Sequence, residues 1–245
     1  MWFTRLLVIS AMLLTACADP LKVVCWNIHH GVGEDGRLDL ERIAKVIEME
    51  KPDLVALQEV DNRCGRSGKV DQAAELGRLL GMQSVFGKAM DFGGGGYGLA
   101  VLSKLPIKGQ KVHRLPGGGE PRIAFEVMIG HPEGNFSFVN VHLDHQGEER
   151  QRLQAEELDR QLKGVRSVIL CGDFNADPSS KTMKVFEKWE LVPKKGARFT
   201  QPAGAPTVEI DHVLLRGFQS PMGARVIEEA VASDHRPLAL TVEPS

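Results

Sequence analysis

Short, continuously apolar runs alternate along this chain with polar stretches of helical period. Lys22-Val23-Val24-Cys25-Trp26, Leu54-Val55-Ala56-Leu57, Leu99-Ala100-Val101-Leu102 and Val168-Ile169-Leu170-Cys171 are brief and partly β-branched. Runs of this kind read as strands buried on both faces. Ile123–Ile129 and Phe136–Leu143 read as further strands, the latter strengthened by Phe136, Phe138 and Val139, and strands around Thr207–Leu215, Arg225–Ala230 and Leu238–Val242 close the chain. Leu40, Ile43, Ala44 and Ile47 recur at helical spacing, with Asp39 placed as an N-cap and Pro52 beyond the end. Helices are also predicted over Gln72–Leu80 and over Glu148–Lys163, a stretch rich in Glu, Gln, Arg and Leu without Gly or Pro. Asp177-Pro178 forms an N-cap/N1 pair for one more short helix. Strand-rich segments with interspersed helices predict stacked sheets covered by helices.

The first residues break this pattern. Arg5 is followed by an almost wholly apolar Leu6–Leu14 segment, too short to span a bilayer. That is a secretory signal. Its end, Leu14-Thr15-Ala16-Cys17, resembles the bacterial lipobox, in which the cysteine is lipidated and becomes the mature N-terminus; an ordinary signal with a chance cysteine is the alternative. The expectation is therefore a leader over 1–16 and one domain over 17–245, anchored in a membrane through lipid on Cys17. Several acyl chains anchor stably where one binds marginally. Ala18, where sorting rules would place Asp for inner-membrane retention, points to the outer membrane or cell surface of a bacterial envelope.

Composition adds exclusions. The 245 residues fit one large α/β or all-β domain, and 42% hydrophobic with 25% charged residues is ordinary for a globular chain. Loss of Arg5 with the leader leaves 29 basic residues against 32 acids, with no basic tail. This weakens extended binding along nucleic acid and leaves a short phosphodiester open. Cys25 and Cys171 fall in predicted core strands, where buried thiols are expected. An oxidising compartment allows one disulfide among Cys25, Cys64 and Cys171, and leaves one cysteine over.

The candidate chemistry follows the strands. Asn27 ends the first, Gln58-Glu59 the second, and Asn140-Val141-His142 the middle one; then come Asp173 and Asn175, Asp211-His212, and Ser233-Asp234-His235. Taken alone, Asp173-Phe174-Asn175 is equally an Asp/Asn turn. Six such groups of complementary type are hard to read as separate caps and turns. Carboxylates and amide oxygens suit a hard cation such as Mg²⁺, and a histidine suits base chemistry near neutrality.

Trp26-Asn27, Gln58-Glu59, Asn140-Val141-His142-Leu143-Asp144, Gly172-Asp173-Phe174-Asn175, Ile210-Asp211-His212 and Ser233-Asp234-His235-Arg236-Pro237 together resemble the motif series of the endonuclease/exonuclease/phosphatase superfamily, in order from about Lys22 to Val242. The resemblance implies an α+β, four-layer α/β/β/α sandwich with two mainly antiparallel sheets. It implies Mg²⁺- or Mn²⁺-dependent hydrolysis of a phosphate ester. By the same resemblance Glu59 is the main metal ligand, supported by Asn27, with Asp234 as a further ligand. His235 activates or orients the attacking water with Asp211 fixing its imidazole, Asp173 positions the nucleophile, and Asn175 and His142 hold phosphoryl oxygens. Arg122 is placed against phosphate or at a solvated strand edge; His29 and Asn140 are added to the substrate contacts, and Asp91–Tyr97 is read as a flexible connection or a lid. Expected substrates are a phospholipid head group, an inositol phosphate or a nucleotide, acted on by a monomer. Extracytoplasmic nuclease action is the alternative. A catalytically inert phosphate-binding lipoprotein is the rival of another class, and it predicts loss of Glu59, Asp173, Asp211 or His235, all of which are present.

Overall fold

A computed structural model describes residues 19–218 and 223–243. The expected leader over 1–16 and the expected lipidation site Cys17 lie outside the described residues. The chain begins with β1 (Leu21–Asn27), α1 (Leu40–Glu50), β2 (Leu54–Asn62) and α2 (Gln72–Leu80), followed by the hairpin β3 (Gln83–Phe92) and β4 (Gly95–Ser103). It continues through β5 (Ile107–Arg114), β6 (Ile123–Ile129), β7 (Phe136–His142), α3 (Glu148–Gln161), β8 (Val168–Asp173) and α4 (Lys181–Lys184). The end is β9 (Glu190–Leu191), β10 (Asp211–Arg216), β11 (Arg225–Val226) and β12 (Leu238–Val242).

These strands form two six-stranded sheets, ordered β11-β12-β1-β2-β4-β3 and β5-β6-β7-β8-β10-β9. Each is antiparallel except for one central parallel pair, β1 with β2 and β7 with β8. The continuous apolar runs occupy these centres because both of their faces are covered. Cys25, Ala56, Val101, Phe125, Phe138, Ile169 and Val213 join in the core shared by the two sheets. Trp26, Ile43, Ile47, Leu57 and Leu76 pack the helices α1 and α2 on the outside of the first sheet. Leu158, Leu162, Leu170, Phe174 and Phe186 do the same for α3 and α4 on the second. Helix, sheet, sheet, helix is the order of the layers.

Several predicted boundaries move. Asp39 caps α1 as expected, accepting from the Arg42 amide at 2.8 Å. Asp177-Pro178 does not start a helix: Asp177 accepts from Ser179 in a turn, and Ser180 caps α4 instead. The edge strands β3 and β5 carry few buried residues, so their periodicity is weak. Asp91–Tyr97 is the tip of the β3–β4 hairpin, with Phe92 opposite Gly95, and not a loose connection. Cys25, Cys64 and Cys171 are buried free thiols.

Candidate active site

At one rim of the inter-sheet core the strand ends converge on a pocket of about 500 Å³. Its walls include His29, His30, Glu59, Asp234 and His235 on the side of the first sheet, and Arg122, His142, Asp173 and Asn175 on the second.

Glu59 reaches the pocket through a backbone irregularity. β2 runs on to Asn62, and its register against β4 shifts between Leu57 and Val60. Glu59 sits in that bulge with φ of 57°. A bulge re-aims one side chain out of the ladder, and a left-handed glutamate stores strain that the surrounding structure must hold. Asn27 supplies part of that support. Its Nδ2 donates to Glu59 Oε1 and to Asp173 Oδ2, each at 3.2 Å, while its Oδ1 accepts the His29 amide at 3.1 Å. One amide thus joins the carboxylates of the two sheets.

On the opposite wall, Gly172 places Asp173. A Cβ there would stand 1.9 Å from the Val141 carbonyl, so only glycine lets β8 lie this close to β7. Asp173 Oδ1 accepts the Asn175 amide at 2.8 Å. Asp173 Oδ2 faces Nε2 of His142 at 3.4 Å and Nε2 of His235 at 3.7 Å. His235 Nδ1 lies 2.9 Å from Asp211 Oδ2; a carboxylate only accepts there, so Nδ1 carries a proton. Burial disfavours the charged imidazole of His235, but Asp211 and Asp173 overcome it and raise its pKa to about 10. Burial lifts the Asp173 carboxyl to about 7, with His235 opposing and Asp211 reinforcing. Asp211 is kept below the usual carboxylate range: burial opposes this, and the charge and hydrogen bond of His235 prevail. His142 is held neutral by burial and by the nearby Arg122 and His235.

Arg122 is 6% exposed at the start of β6. Its Nη2 lies 3.1 Å from His145 Nδ1 and 3.3 Å from Glu120, while its Nε is buried without a partner. A buried guanidinium with an unused donor beside a pocket is prepared for an oxyanion. Asn175 has φ of 49° and donates Nδ2 to the Leu143 carbonyl at 3.1 Å.

Asn140 requires a correction. It is fully buried and does not line the pocket. Its Oδ1 accepts from Gln58 Nε2 at 2.6 Å, and its Nδ2 donates to the carbonyls of Leu57 at 2.8 Å and Ala100 at 2.9 Å. The side chain points from β7 across the core into the first sheet at the Glu59 bulge, so it ties the sheets together and is not a substrate contact. His212 is likewise structural: its Nε2 bonds the Ala176 carbonyl at 2.8 Å.

Two groups of ligand-type side chains lie with donor atoms within 4.8 Å of one another among the described residues: His29, His30 and Glu59, and Asp173, Asp211 and His235. Asp234 lines the same pocket but belongs to neither. The second group is already balanced as an imidazolium between carboxylates. Glu59, with Asn27 bonded to one carboxylate oxygen and its side chain lining the pocket, fits a divalent cation by donor chemistry. Met90, Glu120 and Gln201 also line the pocket, and no motif pointed to them. Met90 and Glu120 enter through chain geometry that no local spacing encodes. Arg66, seven positions beyond Glu59, is held by Asp61 at 2.9 Å and lies 4.5 Å from the Phe92 ring.

A two-sheet sandwich whose strand ends gather carboxylates, an amide and histidines around one pocket is a phosphoesterase-type architecture. A family model described as endonuclease/exonuclease/phosphatase matches residues 24–235, and the chain belongs to that family. Among solved structures, an endonuclease/exonuclease/phosphatase from Beutenbergia cavernae is similar, with 25% identity and a TM-score of 0.76 over 93% of this chain and 72% of that one. A mannosyl-6-phosphatase from Bacteroides thetaiotaomicron has 20% identity and a TM-score of 0.75 over 91% of this chain and 99% of its own. The catalytic domain of human Nocturnin, solved with sulfate, has 20% identity and a TM-score of 0.70 over 91% and 94%. At these identities the likeness carries the fold.

Proposed function

We propose that the protein is a divalent-metal-dependent phosphoric ester hydrolase acting on small phosphorylated molecules outside the cytoplasm, where lipid on Cys17 ties it to a membrane. The observation that carries the reading is the chain of contacts from Glu59 through Asn27 to Asp173, and from Asp173 through His235 to Asp211. Glu59 holds the ion, Mg²⁺ or Mn²⁺ by the family's pattern, with Asn27 orienting the carboxylate and Asp234 available from the adjoining wall. When bound, the ion neutralises charge on the phosphoryl oxygens.

Everything else is positioning and electrostatics by the chain's own side chains. Asp173 aligns the attacking water and is the carboxylate tuned to take its proton near neutrality. His235, kept charged by Asp211, faces the phosphoryl group as a fixed cation. Arg122, His142 and Asn175 offer donors to the remaining oxygens. The small pocket and the absence of a basic run in the sequence favour a phosphate on a compact polar group over a long duplex.

The test is hydrolysis of p-nitrophenyl phosphate and bis(p-nitrophenyl) phosphate with Mg²⁺ or Mn²⁺, followed by a screen of sugar phosphates, inositol phosphates, nucleotides and phospholipids. Glu59→Ala and His235→Ala are expected to abolish turnover. Full activity in EDTA, or in either variant, overturns the mechanism.

A further inference from the structure

We propose that the ion-binding end of this pocket is a histidine–carboxylate site, built by His29, His30 and Glu59, that takes a borderline transition ion of the Zn²⁺ type in preference to Mg²⁺. The inference rests on the reading of Glu59 as the ion's anchor and changes which ion it anchors. Three observations carry it.

The donor atoms of all three side chains lie within 4.8 Å of one another. Donors about 2.1 Å from one ion stand about 3–4 Å apart, so a shift of roughly an ångström closes the set.

The imidazoles are prepared as ligands. His29 Nδ1 lies 3.1 Å from the Val32 carbonyl, which can only accept, so Nδ1 carries the hydrogen and Nε2 keeps a free lone pair. A backbone carbonyl fixing the tautomer in this way is the usual support behind a metal-bound histidine. His30 Nδ1 is buried and has no hydrogen-bond partner. Burial of an unused polar nitrogen is costly unless something binds it.

All three residues are held in the left-handed region, His29 at φ 43°, His30 at 45° and Glu59 at 57°. Such backbone persists only where the surroundings enforce it. Here Gln72 does so, donating Nε2 to the His30 carbonyl at 2.7 Å and accepting the Asp61 amide at 2.9 Å. The buried Gln72 therefore positions the histidine turn and the Glu59 strand against each other. An all-oxygen site suits Mg²⁺, whereas two imidazoles with one carboxylate suit ions further along the Irving–Williams order.

The experiment loads the purified full-length protein with one equivalent of Zn²⁺ and counts imidazole ligands from outer-shell scattering in the zinc-edge X-ray absorption spectrum. Affinities for Zn²⁺ and Mg²⁺ are measured by competition with a chromophoric chelator. The expected result is two imidazoles in the native protein, one in His29→Gln or His30→Gln and none in the double variant. Zn²⁺ affinity of the double variant is expected to fall about 100-fold or more, with Mg²⁺ affinity changed by less than about threefold. A native zinc shell without imidazole, which no folding defect can mimic, overturns the proposal, as does an unchanged count in the variants. Ester hydrolysis in Mg²⁺ with no imidazole in the zinc shell overturns this inference and leaves the phosphoesterase reading standing. Two imidazoles without hydrolysis of any ester do the reverse.

Discussion

Replacing Asn140 by Ala separates two accounts of this side chain, substrate contact and inter-sheet tie. The amide makes three buried hydrogen bonds, to Gln58 Nε2, the Leu57 carbonyl and the Ala100 carbonyl, at 2.6, 2.8 and 2.9 Å. Truncation removes all three and leaves groups of the opposite sheet without this partner in a region closed to water. A typical net hydrogen bond contributes about 1 kcal/mol and a stranded buried group costs about 1–3 kcal/mol, so the expected loss is roughly 3–6 kcal/mol. Against a usual total of about 5–15 kcal/mol that is a large fraction. Guanidinium unfolding followed by the fluorescence of the buried Trp26 and Trp189 is the assay. The midpoint is expected to fall with an unchanged slope. Because the tie sits where β2 leaves register before Glu59, metal affinity is expected to weaken in the same variant. A stability loss below about 1 kcal/mol together with a raised KM would refute the inter-sheet role and return Asn140 to the substrate.

Three further outcomes follow from the same contacts. Asp211→Asn removes the carboxylate that does most to keep His235 protonated, so the His235 pKa is expected to drop from about 10 and the alkaline limb of the pH–rate profile to move toward lower pH; imidazole NMR titration checks it, and an unmoved resonance sinks it. Arg122→Lys keeps the charge but loses the guanidinium fork with its unused Nε, and the expected fall in kcat/KM is about 10–100-fold, from the roughly 1.5–3 kcal/mol of a charged hydrogen bond. Metal-free stability is expected to decline from pH 7 to 10. The folded pKa of His235 is raised above its unfolded value, so its contribution is full below about 6.5 and is lost as pH rises through about 10. Thermal unfolding in EDTA measures this, and a flat profile for the native protein, or an equal decline in His235→Gln, contradicts it.

Much of this was readable in the residues, for an identifiable reason. The central strands are continuous apolar runs because both faces are covered, and each carries its reactive group at the end that reaches the rim. Asn27, His142, Asp173 and Asn175 were visible in that way. Asn140 was misplaced because a motif gives adjacency and not depth: it shares the inter-sheet face of β7 with His142, two residues on, but lies one step below the rim, where it meets the partner sheet instead of the pocket. The Glu59 bulge left no compositional trace, since Gln58-Glu59 at the end of an apolar run looks like a strand terminus and β2 in fact continues to Asn62. β3 and β5 escaped because edge strands with few buried residues have no alternation to detect. Ser180, not Asp177, caps α4 because Asp177 is already engaged in the turn with Ser179.

The placement of the groups explains why this fold needs its inter-sheet core for chemistry as well as for stability. Glu59, Asn27 and the histidine turn belong to the first sheet; Asp173, His142, Asn175 and Asp211 belong to the second. Among the described residues, Asn27 meets Asp173, His235 meets Asp211 and Asp173, and, deeper, Asn140 meets Gln58, Leu57 and Ala100 across the sheets. On the proposed reading, an ion held by one wall and a water aligned by the other would act on the same phosphorus only if the two sheets keep their spacing to a fraction of an ångström. Side chains on flexible loops would lose that spacing; side chains at strand ends over a close-packed core keep it. The strain at Glu59, His29 and His30 fits the same logic, because the packed sheets hold backbone geometries that an isolated turn would release. Rigid sheets thus set the distance between the Glu59 wall and the Asp173 wall, and on the proposed reading that leaves the rim, with Arg66, Phe92, Tyr97 and Gln201, as the part of the pocket that would select whose phosphate enters.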